Sequence, residues 1–293
     1  MRDRPKIIGL ICAWGCRDWI GLALRQAVEY CDEVIVNISS HSPALDKYDD
    51  GTYNIAKNFS GIKLFHTPVY DSRWKSHHSI VKARLLNEMV EYAYNRADGN
   101  WIWTLDADEF YHRGFANFIR EFIENVDDEI DTIELECKMF YINAHYYLVG
   151  SHKRLFRIRQ NNINSGIYFV PTQRWAFERK SVLIKGKPLH HYSMLLNPWM
   201  KRDFWKTEYP DKDQSKKIRW LDEIYKNFDL SNQDKWIRKN EQLFGIKSPW
   251  FSDSFKPDEN GRLYEMGNDR HPEMIENSWV VGVKDFRNLY HFR

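Results

Sequence analysis

Three carboxylates stand within four positions, at Asp106, Asp108 and Glu109, directly after the apolar, aromatic run WIWTL. A buried strand ordinarily gives way to Gly, Asn or Pro. Like charges crowded at its end repel one another and are tolerated where something positive sits among them. A divalent cation is the obvious occupant, and ligation by oxygen suits Mg²⁺ or Mn²⁺. Strand side chains alternate, so Asp106 and Asp108 are expected on one side just past the carboxyl end, where open α/β sheets bind ligands. An Asp-x-Asp also occurs as a plain acidic loop, so the surrounding elements decide its meaning.

Those elements alternate. Residues 6–14 (KIIGLICAW) read as a first buried strand, and 18–30 as a helix with Ile20, Leu24, Ala27 and Val28 at helical spacing. DEVIVNIS at 32–39 reads as a second strand and IKLFHTPV at 62–69 as a third, with a polar stretch and a short helix near 52–59 between them. A helix over 79–97, with Ile80, Ala83, Leu86, Val90, Ala93 and Tyr94 on one face, leads into the strand before the acids. Parallel neighbours need crossover connections, so the pattern predicts an α/β fold: a mostly parallel central sheet, helices on both faces, and the acids at its ligand edge. After an amphipathic helix at 114–126, the segment 131–192 is strand-rich and predicts a small antiparallel sheet closing over that edge. From Pro198 the pattern is helical and aromatic, with Ile218, Leu221, Ile224, Tyr225 and Phe228 on one face.

Composition narrows the partners. With 43 basic against 41 acidic residues in a chain of 293, the formal charge of +2 gives no reason to expect nucleic acid. Cys12, Cys16, Cys31 and Cys137 form neither a CxxC pair nor a zinc-type spacing, which fits a reducing, cytoplasmic setting. No window reaches the roughly 20 apolar residues of a membrane-spanning helix. The amino terminus imitates a signal peptide, but Asp3 intrudes early and no small-residue cleavage site follows, so it reads as a strand. Aromatic residues make up 15% of the chain, twelve of them Trp, which supplies either core or stacking surfaces for sugars and bases.

In this order the motifs resemble nucleotide-sugar glycosyltransferases of the GT-A fold, of the family 2 type, over roughly residues 6–205. LDADEF carries the DxD signature, supported by ICAWGCRDWIGLAL, by EVIVNIS with its polar loop, and by KARLLNEMVEYA before the DxD strand. The resemblance implies a Mn²⁺ or Mg²⁺ ion held directly by Asp108, with Asp106 on the donor ribose or on a water of the ion. It implies a late histidine as third ligand. KPLHHYS offers His190 and His191, of which strand alternation lets one face the ion, and His191 is taken. Trp14 is placed to stack on the base, Asn37 to hold the nucleoside, and Lys82 or Arg84, with Asn87, to reach the diphosphate. His77 and His78 are further phosphate candidates, and His112 flanks the site.

The implied donor is a UDP-sugar and the implied acceptor the hydroxyl of a glycan or glycoconjugate. Cys16 and Arg17 stand where relatives carry Asn-Glu, and Asn37 where they carry Asp, which leaves the base open. An inverting transfer is expected, with Glu178 as first and Asp203 as second candidate base. The implied division is a catalytic domain over 1–197, split near 112 into nucleotide-binding and acceptor halves, and a helical, aromatic-rich extension over 198–293.

Two rivals share parts of the pattern. Haloacid dehalogenase phosphatases place Asp-x-Asp after their first strand, whereas three strands precede it here. Nucleotidyltransferases need a Gly-rich phosphate loop near the amino terminus, where Gly15 stands alone. The non-enzymatic alternative is a carbohydrate-binding or assembly protein on a degenerate transferase scaffold. Trp199, Phe204, Trp205, Trp220, Trp236 and Trp250, interleaved with Lys201, Arg202, Lys216, Lys217 and Arg219, form either a packing face or a surface for a glycan or for peripheral contact with the inner face of a membrane.

Overall fold

The computed structural model describes residues 4–67, 78–94, 101–159, 166–171, 173–195, 197–207, 214–252, 254–267 and 269–289. Its first half alternates strands and helices: β1 (Ile7–Ala13), α1 (Arg17–Tyr30), β2 (Glu33–Ser39), α2 (Thr52–Lys57), β3 (Lys63–Thr67), α3 (His78–Tyr94) and β4 (Trp101–Leu105). Every residue of β1 is buried because both faces of that strand are covered. Ile7, Ile11 and Ala13 share a core with Trp19, Ile20, Ala23 and Leu24 of α1. The alternate residues Ile8, Leu10 and Cys12 join Val81, Leu85, Leu86 and Met89 of α3 in a second core on the other face. Val28 departs from the expected helical face of α1 and is 39% exposed.

The remaining elements are β5 (Glu109–Phe110), α4 (Phe115–Asn125), β6 (Thr132–Tyr141), β7 (Asn143–Arg157), β8 (Phe169–Val170), β9 (Arg174–Trp175), β10 (Ser181–His191), α5 (Pro198–Lys206), α6 (Ser215–Glu223), α7 (Gln233–Phe244), β11 (Tyr264–Glu265) and α8 (Glu273–Glu276). The main sheet runs β3-β2-β1-β4-β7-β6-β10-β5, with β11 on β7. Strands β3, β2, β1 and β4 are mutually parallel. The chain builds outward from β1 on one side and returns to its other side at β4, which makes the carboxyl ends of β1 and β4 a topological switch point.

The small antiparallel sheet is the pair β8–β9. The longer strands of the strand-rich segment do something else: they continue the central sheet. β7 lies antiparallel on β4, with Trp103 opposite Leu155, so β4 has no open edge there. β6 pairs with β7 antiparallel and with β10 parallel. The sheet thereby curls until the end of β10 meets β5, with His191 opposite Glu109.

The carboxyl-terminal third packs on this sheet. Trp205, Trp220 and Trp250 are buried, as are Leu221, Ile224, Tyr225 and Phe228, and Tyr225 and Phe228 meet the ring of Tyr141 on β6. The aromatic set thus includes a packing face, with Trp199, Phe204 and Trp236 half-buried. No helix among the described residues is long and apolar enough to cross a membrane.

Candidate functional site

Strand alternation ends at Leu105. Asp106 to Glu109 form a turn in which the Glu109 amide donates to the Asp106 carbonyl at 3.1 Å, and the Tyr192 amide then takes the Asp108 carbonyl at 2.9 Å. Both aspartates line one cavity just past the end of the strand, and the turn gives them different partners there. Asp106 receives Lys82 Nζ at 2.8 Å and Arg154 Nη2 at 3.1 Å. Arg154 also grips Glu109 through two nitrogens, Nε lying 2.8 Å from Oε2. Asp108 instead faces His191, whose Nε2 is 3.6 Å from its Oδ2.

The electrostatics follow from this division. Burial pushes the Asp106 carboxyl up, but Lys82 and Arg154 outweigh it and hold the group well below the usual carboxylate range. Burial likewise opposes the charge on Arg154, and Glu109 and Asp106 restore it and more. Asp108 is also held below its ordinary value, with His191 overcoming burial. Lys82 and Arg154 are taken up by Asp106 and Glu109, which leaves Asp108 to His191, with Lys201 acting on it as well. A carboxylate oxygen and an imidazole nitrogen are suitable donors for Mn²⁺ or Mg²⁺. Ligand atoms of Asp106, Glu109 and His191 also lie within 4.8 Å of one another. Of these, the Asp106 and Glu109 oxygens are already engaged by basic side chains.

These groups open on a cavity of about 200 Å³ lined by Trp14, His41, Lys82, Asp106, Asp108 and His191, with Gln173, Ser193, Met200 and Lys201 opposite. Trp14, His41 and Asp106 each follow the carboxyl end of a parallel strand, so the cavity sits at the switch point. Trp14 is half-buried and its indole N–H donates to the Leu45 carbonyl at 2.7 Å. His41 is kept neutral, its pKa lowered to about 3 by burial and then by Lys82. Lys201 Nζ donates to Ser193 Oγ at 2.6 Å. A larger recess of about 590 Å³, lined by Arg17, Asp18, Lys47, Tyr48 and Asn197, adjoins the first at Cys16 and Met200. Gly15 lies at that junction with φ of +63°, and a Cβ there would come within 2.7 Å of Met200 Sδ.

Several expected residues lie elsewhere. Arg84 is exposed on the opposite face of α3 from Lys82, because two positions on a helix turn the side chain through about 200°. Asn87 is fully engaged in fastening β8: its Oδ1 accepts from the Tyr168 and Phe169 amides and its Nδ2 donates to the Phe169 carbonyl. Asn37 is buried inside β2, where Ser39 Oγ donates to its side-chain Oδ1, and it does not line the cavity. Glu178 is exposed and paired with Lys153 at 2.5 Å, outside the cavity. Asp203 ties α5 to the turn at 43–48, meeting Lys47 at 2.7 Å and the Tyr48 hydroxyl at 2.9 Å. His190 is buried toward Phe140, His112 and His271, away from the acids. His78 stacks near Phe204, and His77 lies outside the described residues.

Sequence reasoning missed Arg154, His152, His41 and Gln173 as members of the site. The sequence around Arg154, HKRLFRIR, carries five basic residues in eight positions and does not single it out. The slip of register between Ile133 and Glu134 makes Arg154 the extra residue of a bulge, aimed at the acids. Gln173 had no signal either. It lines the cavity in the left-handed region, with φ of 56°.

No family model matches the chain, and no curated protein matches it. Solved structures that resemble it include 4-diphosphocytidyl-2C-methyl-D-erythritol synthase, at 13% identity and a TM-score of 0.33 over 52% of this chain and 74% of that one. Glucosyl-3-phosphoglycerate synthase from Mycobacterium tuberculosis, in complex with Mn²⁺ and UDP, is 17% identical with a TM-score of 0.29, over 47% of this chain and 44% of its own. CMP:2-keto-3-deoxy-manno-octonic acid synthetase complexed with CTP is 11% identical, with a TM-score of 0.29 over 54% and 75%. At these scores the likeness decides nothing about activity, which must be read from the site's own atoms.

Proposed function

We propose that the chain is a metal-dependent glycosyltransferase of the GT-A type, which moves a sugar from a nucleoside diphosphate sugar, with UDP the expected nucleotide, to the hydroxyl of a glycan or glycoconjugate. The observation that carries this reading is the meeting of Asp108 and His191 at 3.6 Å beside a cavity at the switch point of a parallel sheet. A divalent ion held by this pair would neutralise the charge that grows on a departing diphosphate. Asp106, locked by Lys82 and Arg154, presents a fixed acceptor to a ribose hydroxyl or a metal-bound water. Lys82 and Lys201 place positive charge on two sides of the diphosphate. The face of Trp14, pinned through its indole nitrogen, is a stacking platform for the base.

The two adjoining cavities suit a donor and an acceptor. The catalytic domain in this reading is 1–197, and α5, from the extension, supplies Met200 to both cavities and Lys201 to the first. Asp203 lines neither cavity, but its partners Lys47 and Tyr48 line the second, so of the two candidate bases it is the nearer to an acceptor there and would have to leave Lys47 to act. Glu178 is set aside, since Lys153 holds it outside the cavity.

Nucleotide release from a panel of nucleoside diphosphate sugars, with and without Mn²⁺, tests the proposal. Release should require the metal and fall by about 10²-fold or more in Asp108→Asn, the scale of losing one group that steadies developing charge. Glycan binding with no response to any nucleotide and metal would instead identify a binding module on a transferase scaffold.

A further inference from the structure

His191 has a second set of neighbours. While its Nε2 faces Asp108, its Nδ1 lies 3.2 Å from His152 Nε2. Cys137 completes this side, its ligand atom and those of the two histidines lying within 4.8 Å of one another. The sheet register explains the meeting. His152 on β7 stands opposite Leu135 and His191 on β10 opposite Met139, so both side chains emerge on the face of β6 that carries Cys137.

The residue across from Cys137 on β7 is Gly150, and the space that a side chain would take there is filled by Phe255, whose ring also meets His152 at 5.5 Å. Cys137 is fully buried. One sulfur and two nitrogens, walled by an aromatic ring, are the donors of a soft or borderline ion rather than of Mg²⁺ or Mn²⁺. A tetrahedral zinc ion with Zn–N bonds of about 2.0–2.1 Å separates two nitrogen ligands by about 3.3 Å. The His152–His191 spacing of 3.2 Å is already close to that edge.

We propose that Cys137, His152 and His191 form a zinc site behind the His191 ring, and that filling it inhibits by withdrawing His191 from Asp108. The site stands on these three side chains whatever the reaction is; the inhibitory half rests on the transferase reading. A neutral imidazole has a single lone-pair nitrogen, so His191 serves one ion at a time. Binding releases the Cys137 thiol proton to water and leaves a thiolate–zinc bond. A water completes the tetrahedron, since Glu109 Oε1, although 3.8 Å from His191 Nδ1, is taken up by Arg154, whose charge Glu109 and Asp106 match.

Titration of the metal-free protein with Co²⁺, followed by the thiolate-to-cobalt charge-transfer absorption, decides the first half. The band should saturate at one equivalent, disappear on adding Zn²⁺, and be absent from Cys137→Ser and from Cys137→Ala, each checked for an intact thermal transition. A wild type without the band, or a band that survives in both folded variants, overturns the site. For the second half, stoichiometric Zn²⁺ should suppress Mn²⁺-dependent nucleotide release in the wild type, with the Cys137 variants active and about tenfold or more less sensitive. Equal sensitivity in all three would refute the inhibition. If nucleotide release is absent altogether, the transferase reading fails while the cobalt band still decides the zinc site.

Discussion

At the scale of single residues, the two aspartates of the motif have separate jobs. Asp106 meets two cations, of which Arg154 keeps Glu109 when Asp106 is lost and Lys82 does not, so Asp106→Asn should cost about 3 kcal/mol of stability, read from denaturant midpoints. Asp108 meets His191 in place of a lysine or arginine. Asp108→Asn should leave the fold within about 1 kcal/mol of wild type while removing metal-dependent turnover. Lys82 and Arg84 separate just as sharply. Lys82→Met should raise the KM for the donor, whereas Arg84→Ala, on the exposed face of α3, should leave that KM unchanged. The crowding of the acids was legible in the sequence because it is a local property, and strand alternation said that His190 and His191 face opposite sides without saying which one meets the acids. The surroundings of Glu178 and Asp203 were not legible, because Lys153 and the turn at 43–48 reach them from distant segments, an approach that leaves no periodic trace.

At the scale of elements, order was readable and register was not. The apolar runs and helical spacings marked β1 to β4 to within a few residues, since burial on both faces leaves an unmistakable apolar stretch. That β6, β7 and β10 would extend the same sheet, with β6 parallel to β10, depends on pairings between distant segments. Asp131, just before β6, is one of the pins that hold this extension. Burial pushes its carboxyl up, and Arg179 and Arg159, at 2.6 and 2.7 Å, more than reverse that and leave its folded value depressed. A depressed carboxylate contributes stability that is complete above its unfolded value of about 3.9 and is lost as pH falls through the folded one. Urea midpoints of wild type and Asp131→Asn should accordingly differ at neutral pH and converge on acidification below about pH 4. A constant gap across that range would show that the pins act through packing alone.

At the scale of the whole molecule, the carboxyl-terminal third is part of the core of the enzyme proposed here. Trp220 is fully buried, and its indole N–H donates to the Pro249 carbonyl at 3.0 Å. Trp220→Ala should therefore cost about 3–5 kcal/mol and lower the melting temperature of the chain as one unit. A separate early transition would mark the extension as an independent domain. The central claim is that Asp108 and His191, gathered by the curl of the sheet, hold a divalent ion against a nucleoside diphosphate. Titration of Mn²⁺ followed by electron paramagnetic resonance, with and without UDP, tests it most directly. One bound ion is expected, with an affinity that rises with UDP and is lost in Asp108→Asn, while Mn²⁺ that binds equally well to the variant, or is indifferent to UDP, would rule out this metal site.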